Sequence, residues 1–226
     1  MHESIRWRAR RRQLLSAALA SGTLRGAGLA ALIRSALAAE DPTRASTVRT
    51  LEGELRINDR PAQPGASVQA GDKIETGARS RAVVVIGADA FLLRENTRVE
   101  SAGAQLAIGA LRLITGKLLS VFGPGAKQLQ TPSATIGIRG TGAYLEADPQ
   151  RTYFCLCYGS AEVSAGARNE SITTRHHESP RYITRDSYGG FDISLADMGN
   201  HTDAELIMLE ALVGRVPPFV TPVPQR

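Results

Sequence analysis

The chain has 226 residues, 42% of them hydrophobic, which suits one domain with a buried core and appendages. Its net charge of +5 is unevenly placed: residues 1–38 hold seven Arg and one Glu, net +6, which leaves 20 basic against 21 acidic residues, net −1, in the remainder. The body therefore lacks the electrostatic footprint of a nucleic-acid binder, and no partner of that class is expected.

Residues 1–38 read as an export signal. Arg6, Arg8, Arg10, Arg11 and Arg12 form a charged head, Leu14 to Leu24 is apolar and small, and Ala36-Leu37-Ala38 offers a small-residue cleavage site. Arg11-Arg12-Gln13-Leu14-Leu15 resembles a twin-arginine motif, with Arg10 where Ser or Thr is usual and Leu14 where Phe is usual. Arg25 and Arg34 interrupt the apolar run, so it does not make a transmembrane helix, which needs about 20 predominantly apolar residues. A basic, Ala-rich cytosolic tail or a membrane-surface helix is the alternative. On the export reading, the mature chain starts near Ala39, with 39–47 as a linker, and is periplasmic or secreted.

From Val48 onward, short apolar runs alternate with turn residues. Val48 to Leu51, Glu54 to Ile57, Lys73 to Glu75, Ala82 to Ile86, Phe91 to Arg94, Gln105 to Ile108, Leu111 to Ile114 and Lys117 to Phe122 suit strands. Breaks are expected at Asn58-Asp59, Pro64-Gly65, Gly71-Asp72, Gly87 to Asp89, Gly103, Gly109, Gly116 and Gly123 to Gly125. Strands at about ten-residue spacing indicate an all-β sandwich, barrel or solenoid, and no strict repeat chooses among them.

The segment Thr131 to Ser164 reads as a β-hairpin. Ala134 to Ile138 and Ala143 to Glu146 favour strand and flank Arg139-Gly140-Thr141-Gly142, whose glycines permit a bulge or a tight reversal. Asp148-Pro149-Gln150 signals a turn before Thr152 to Tyr158, and a further turn is expected at Gly159, before Ala161 to Ser164. Gly137 to Gly142 is not a phosphate-binding loop, because its glycine spacing is wrong and it leads into a strand instead of a helix.

These residues resemble the FecR domain, known from ferric-citrate signalling regulators. The matching positions are Thr131, Pro132 and Ala134; the structural turn Arg139, Gly140 and Thr141; and Gly159 with Glu162 and Val163. Upstream, Gly71 to Gly77, Phe91 to Thr97 and Leu113 to Leu118 are similar to further motifs of the family, and the likeness covers 48–165. The resemblance implies an all-β fold, a FecR-like β-solenoid or twisted double-sheet domain. Members of the family join a cytoplasmic anti-sigma region, one membrane span and a periplasmic FecR domain that receives a signal. Few residues precede Val48 here, so what carries over is ligand or partner binding, not sigma-factor regulation.

After this domain, 166–200 reads as edge strands and loops, with Ser171 to Arg175 and Tyr182 to Thr184 as weak strands. In 201–226, Thr202-Asp203-Ala204-Glu205 is a capping-box signature for one short C-terminal helix, with Leu206, Ile207, Leu209, Leu212 and Val213 as its apolar face. Gly214 ends the helix, and a Pro-rich tail follows.

Cys155 and Cys157, the two cysteines of the chain, sit at i and i+2 of a strand and so share one face. Such a pair spans about 6.5–7 Å between Cα atoms, near the outer limit for a disulfide. His176, His177 and His201 follow, and the five residues form a candidate site for a transition metal such as Zn²⁺ or Cu⁺. Their spacing matches no standard zinc finger. A CxC pair that is plain core, loop histidines that bond locally, and a His201 that caps the helix or pins it through Asp203 are the competing roles. Arg139 is expected to tie its turn to a neighbouring strand. No nucleophile stands in a triad or elbow context, so no enzyme is expected. The sequence thus points to a non-enzymatic FecR-like sensory or protein-binding module of the bacterial envelope with an envelope protein as partner. The alternative is a metal-binding or thiol-redox protein.

Overall fold

The structure, a computed structural model, describes residues 46–104, 107–178 and 180–220. The export segment, most of the linker, part of the expected strand from Gln105 and the end of the Pro-rich tail lie outside the described residues.

Strands account for 57% of the described residues, and one short helix follows them. In chain order they are β1 (Thr47–Glu52), β2 (Leu55–Ile57), β3 (Arg60–Pro61), β4 (Lys73–Thr76), β5 (Arg81–Ile86), β6 (Asp89–Leu93) and β7 (Arg98–Ala104). The longer strands come next: β8 (Ala107–Val121), β9 (Ala126–Gln130), β10 (Thr135–Ala147) and β11 (Arg151–Ala165). Then β12 (Arg168–Thr174), β13 (Arg181–Arg185) and β14 (Phe191–Leu195) precede the helix α1 (Asp203–Leu212). Among the described residues the fold is thus the expected all-β class with a single C-terminal helix, and its sheet is not closed.

The long strands change partners along their length. The start of β8 pairs with β7, and its end pairs with β6 on one side and β10 on the other. Likewise β10 passes from β9 to β8, and β11 passes from β13 to β12. This explains two differences from the sequence reading, at the β8 glycines and at Gly159. Gly109 and Gly116 do not break β8. Gly116, at φ +96°, is a bend inside the strand where a Cβ would lie 2.4 Å from the Thr97 Cα. Of the two readings of Arg139 to Gly142, it is the bulge that forms, within β10, with Gly140 and Thr141 opposite the single residue Gly159. Gly159 is not a turn, since β11 continues through it. The hairpin itself turns at Asp148 to Gln150, where the Asp148 carboxylate accepts from the backbone N–H groups of Gln150 and Arg151.

Two cores explain the unbroken apolar runs. Val84, Ile86, Phe91, Leu93, Leu118, Ala143, Leu145, Phe154 and Leu156 point into the larger core between the sheet layers. Their neighbours of opposite parity, Val83, Val85, Leu92, Leu119, Tyr144, Tyr153, Cys155 and Cys157, point outward and are covered by Leu206, Met208, Leu209 and Leu212 of α1. A strand buried on both faces loses the polar alternation of a half-exposed one. The helix is correspondingly buried almost all round. Met208 and Ala204 join the expected apolar face, while Ile207 is only partly buried. Thr202 is the N-cap, and the capping box with Glu205 is complete.

Candidate metal centre

Strand parity places the two cysteines. Phe154 and Leu156 face the main core, so Cys155 and Cys157 face the helix layer, both fully buried and both free thiols. A loop and a helix start bring the histidines to them. His177, between β12 and β13, donates its backbone N–H to the Cys157 carbonyl at 2.9 Å and takes the left-handed φ of +49°. A non-glycine residue held there carries strain of about 1 kcal/mol, which the surrounding contacts must offset. His201 directly precedes the N-cap and follows Asn200, another left-handed residue, at φ +62°. The loop before α1 is fastened by the Tyr153 hydroxyl, which accepts from the Gly199 N–H and donates to the Asp197 carbonyl. Arg94 adds hydrogen bonds to the Asn200 carbonyl and the Glu205 carboxylate, and Tyr144 stacks on the His201 ring at 4.6 Å.

The donor atoms of Cys155, Cys157, His177 and His201 all lie within 4.8 Å of one another. Cys157 Sγ is 3.4 Å from His201 Nε2, Cys155 Sγ is 3.9 Å from His177 Nδ1, and the two imidazole nitrogens are 3.1 Å apart. The far nitrogens decide what those inner nitrogens are. His177 Nε2 lies 2.8 Å from Asp203 Oδ1, and His201 Nδ1 lies 2.8 Å from the Gly199 carbonyl oxygen. Carboxylate and carbonyl can only accept, so both far nitrogens carry protons and donate. In the neutral tautomers this leaves His177 Nδ1 and His201 Nε2 as lone pairs aimed at the thiols and at each other.

The electrostatics treat the two thiols differently. Cys155 is pulled well below the ordinary thiol range by the Cys157 thiol that faces it, against burial and with help from His177 and His201. Burial, and then the hydrogen bond with Cys155, push Cys157 well up. The two thiols are thus driven in opposite directions. For His177, burial works against the charged form, but Cys155 and Asp203 outweigh it and raise the imidazole. Burial would lift Asp203, yet His176 and His177 hold it below its usual value.

Four of the five expected ligands therefore converge. His176 does not join them. Its side chain is 45% exposed, and its Nε2 lies 2.8 Å from the same Asp203 oxygen that His177 uses. His201 does not cap the helix, a role Thr202 takes, and Asp203 pairs with His176 and His177 instead of with His201. Asp203, Tyr144 and Gly199 were not expected at the site. Tyr144 and Tyr153 share the outward parity of the cysteines, which is the one signal the sequence carried for them. In the bulge, Thr141 is fully buried while the Arg139 side chain is exposed and has no ion pair among the described residues, so geometry and not the guanidinium fastens that turn.

No family model matches the chain, and no curated protein matches it. Among solved structures it is similar to two crystal structures, at 1.65 and 2.50 Å resolution, of a candidate anti-sigma factor from Parabacteroides distasonis ATCC 8503. In each case identity is 10% and the TM-score 0.46, over 55% of this chain and 60% of that one. The match thus spans 60% of that chain's length.

Proposed function

We propose that this chain is a metal-binding domain of the bacterial envelope, a non-enzymatic sensory or partner-binding module in which Cys155, Cys157, His177 and His201 hold one zinc-class divalent ion. The observation that carries this reading is the convergence of two sulfurs and two imidazole nitrogens whose far nitrogens are already committed to fixed acceptors. Zn–S bonds of about 2.3 Å and Zn–N bonds of about 2.0–2.1 Å in a tetrahedron place S···N edges near ~3.6 Å and N···N edges near ~3.3 Å. The S···N edges of 3.4 and 3.9 Å bracket the first value, and the N···N edge of 3.1 Å lies close to the second.

Charge favours a divalent ion. Two thiolates and two neutral imidazoles around a 2+ ion make a neutral buried unit, whereas Cu⁺ would leave a net negative charge beside Asp203 at a buried site. Four protein ligands also close a tetrahedral ion, with no open position for a substrate. A disulfide fits less well, because an i, i+2 pair spans about 6.5–7 Å between Cα atoms on one strand. The ion would join β11, the β12–β13 loop and the approach to α1, so its binding would report on the docking of the C-terminal helix. The envelope setting and the sensory role rest on the arginine-rich N-terminal segment and the FecR-like motifs.

Anaerobic titration of the purified chain with Zn²⁺ against a chromophoric chelator tests the reading. One equivalent is expected to bind to the wild type, with binding lost in Cys157→Ser. Failure of the wild type to bind, or equal binding by the variant, would overturn it.

A further inference from the structure

We propose that His176 and Asp203 form an outer capture site for a hydrated divalent transition-metal ion, which passes from there to the buried cysteines and histidines; this rests on the metal-binding reading above. His177 belongs to two donor groups at once. Its Nδ1 faces Cys155 and His201, while its Nε2 faces the outer pair. In the outer group one Asp203 oxygen lies 2.8 Å from His176 Nε2 and 2.8 Å from His177 Nε2, so two nitrogens and a carboxylate oxygen converge on one point.

Exposure grades along this line. The side chains of His176 and Asp203 are 45% and 46% exposed, that of His177 is 7% exposed, and the cysteines are fully buried. An ion approaching from water thus meets the half-open Asp203 carboxylate and His176 imidazole before it meets sulfur. Such a set suits a first-row divalent ion that keeps part of its water shell. The His176 ring is held in place by Phe219, stacked on it at 4.3 Å.

A relay of this type has a kinetic signature. An outer ligand that the ion leaves on reaching its final position changes the rates of arrival and departure by the same factor and leaves the equilibrium alone. By raising the local ion concentration beside the inner set, His176 is expected to speed loading roughly tenfold.

The test mixes anaerobic full chain with Co²⁺ in a stopped-flow instrument and follows the thiolate-to-cobalt charge-transfer absorbance. His176→Ala is expected to slow both loading and chelator-driven release roughly tenfold, with one-equivalent stoichiometry and affinity kept, and His176→Asp, which restores an oxygen ligand, to recover much of the rate. Equal rates in wild type and His176→Ala would overturn the relay and leave the metal site standing. A two-equivalent end point in the wild type would also overturn it, because the outer group would then be a resident site. Absence of the charge-transfer band in the wild type would remove the metal site and the relay together.

Discussion

His177 Nδ1 lies 3.1 Å from His201 Nε2, although the two residues are 24 apart in sequence. Each ring has committed its other nitrogen, one to Asp203 and one to the Gly199 carbonyl, so the inner nitrogens face each other as acceptors unless a proton or a cation lies between them.

Asp203 sets the His177 tautomer, so weakening that acceptor should be felt at the metal. Asp203→Asn keeps the side-chain shape and is expected to lower Zn²⁺ affinity by about 10–100-fold while one equivalent still binds. Competition titration reads this directly. Unchanged affinity would mean that the carboxylate serves only the helix N-terminus.

The opposite end of α1 has its own titration. Glu210 accepts from the Tyr158 hydroxyl and lies 2.6 Å from Arg215 Nε, while Asp89 accepts from the Gly123 N–H and lies 3.2 Å from Lys127. Burial lifts both carboxyls above their ordinary values despite these partners. The sign is the reverse of the usual acid-labile carboxylate. The folded state binds the proton more tightly than the unfolded chain does, so this stabilisation is present below ordinary carboxyl values and is lost as pH rises through the raised folded ones. Glu210→Gln stays neutral throughout. Its stability relative to wild type is expected to improve between about pH 4 and pH 7 in urea unfolding, and a relative stability that falls over that range would contradict the assignment.

The bulge in β10 predicts an unequal response of two neighbours. Gly159, at φ +101°, would bring a Cβ within 2.5 Å of the Thr141 Cγ2. Gly159→Ala is expected to cost roughly 1–3 kcal/mol from backbone strain. Arg139→Ala, at an exposed side chain with no ion pair among the described residues, should stay within about 0.5 kcal/mol. Denaturant midpoints decide it, and the opposite ranking would mean that the arginine does hold the turn.

Much of this was legible in the residues. Apolar runs between turn signals located β1, β2, β4, β5 and β6, and Thr202 with Glu205 located α1 within a residue. Glycine misled where the chain bends without ending, at Gly116 and Gly159, because a positive φ looks the same in a turn and in a bulge. β7, Arg98–Ala104, was missed because its polar and small residues carry little strand preference and only pairing with β8 makes it a strand. At the site, parity alone put Cys155 and Cys157 on one face. Which histidine would reach them depended on the path of the β12–β13 loop: adjacent His176 and His177 both reach the Asp203 oxygen, but only His177 also faces the cysteines, for reasons no spacing rule contains. Asp203 looked like a first-turn helix acid, and its second role becomes visible only once the helix is docked.

X-ray absorption at the zinc edge of the loaded wild-type chain tests the central claim most directly, because it counts the atoms around the ion. The account predicts two sulfurs at about 2.3 Å and two nitrogens at about 2.0–2.1 Å. A shell of nitrogen and oxygen alone would place the ion on the His176–His177–Asp203 surface group and contradict a buried centre built on Cys155 and Cys157.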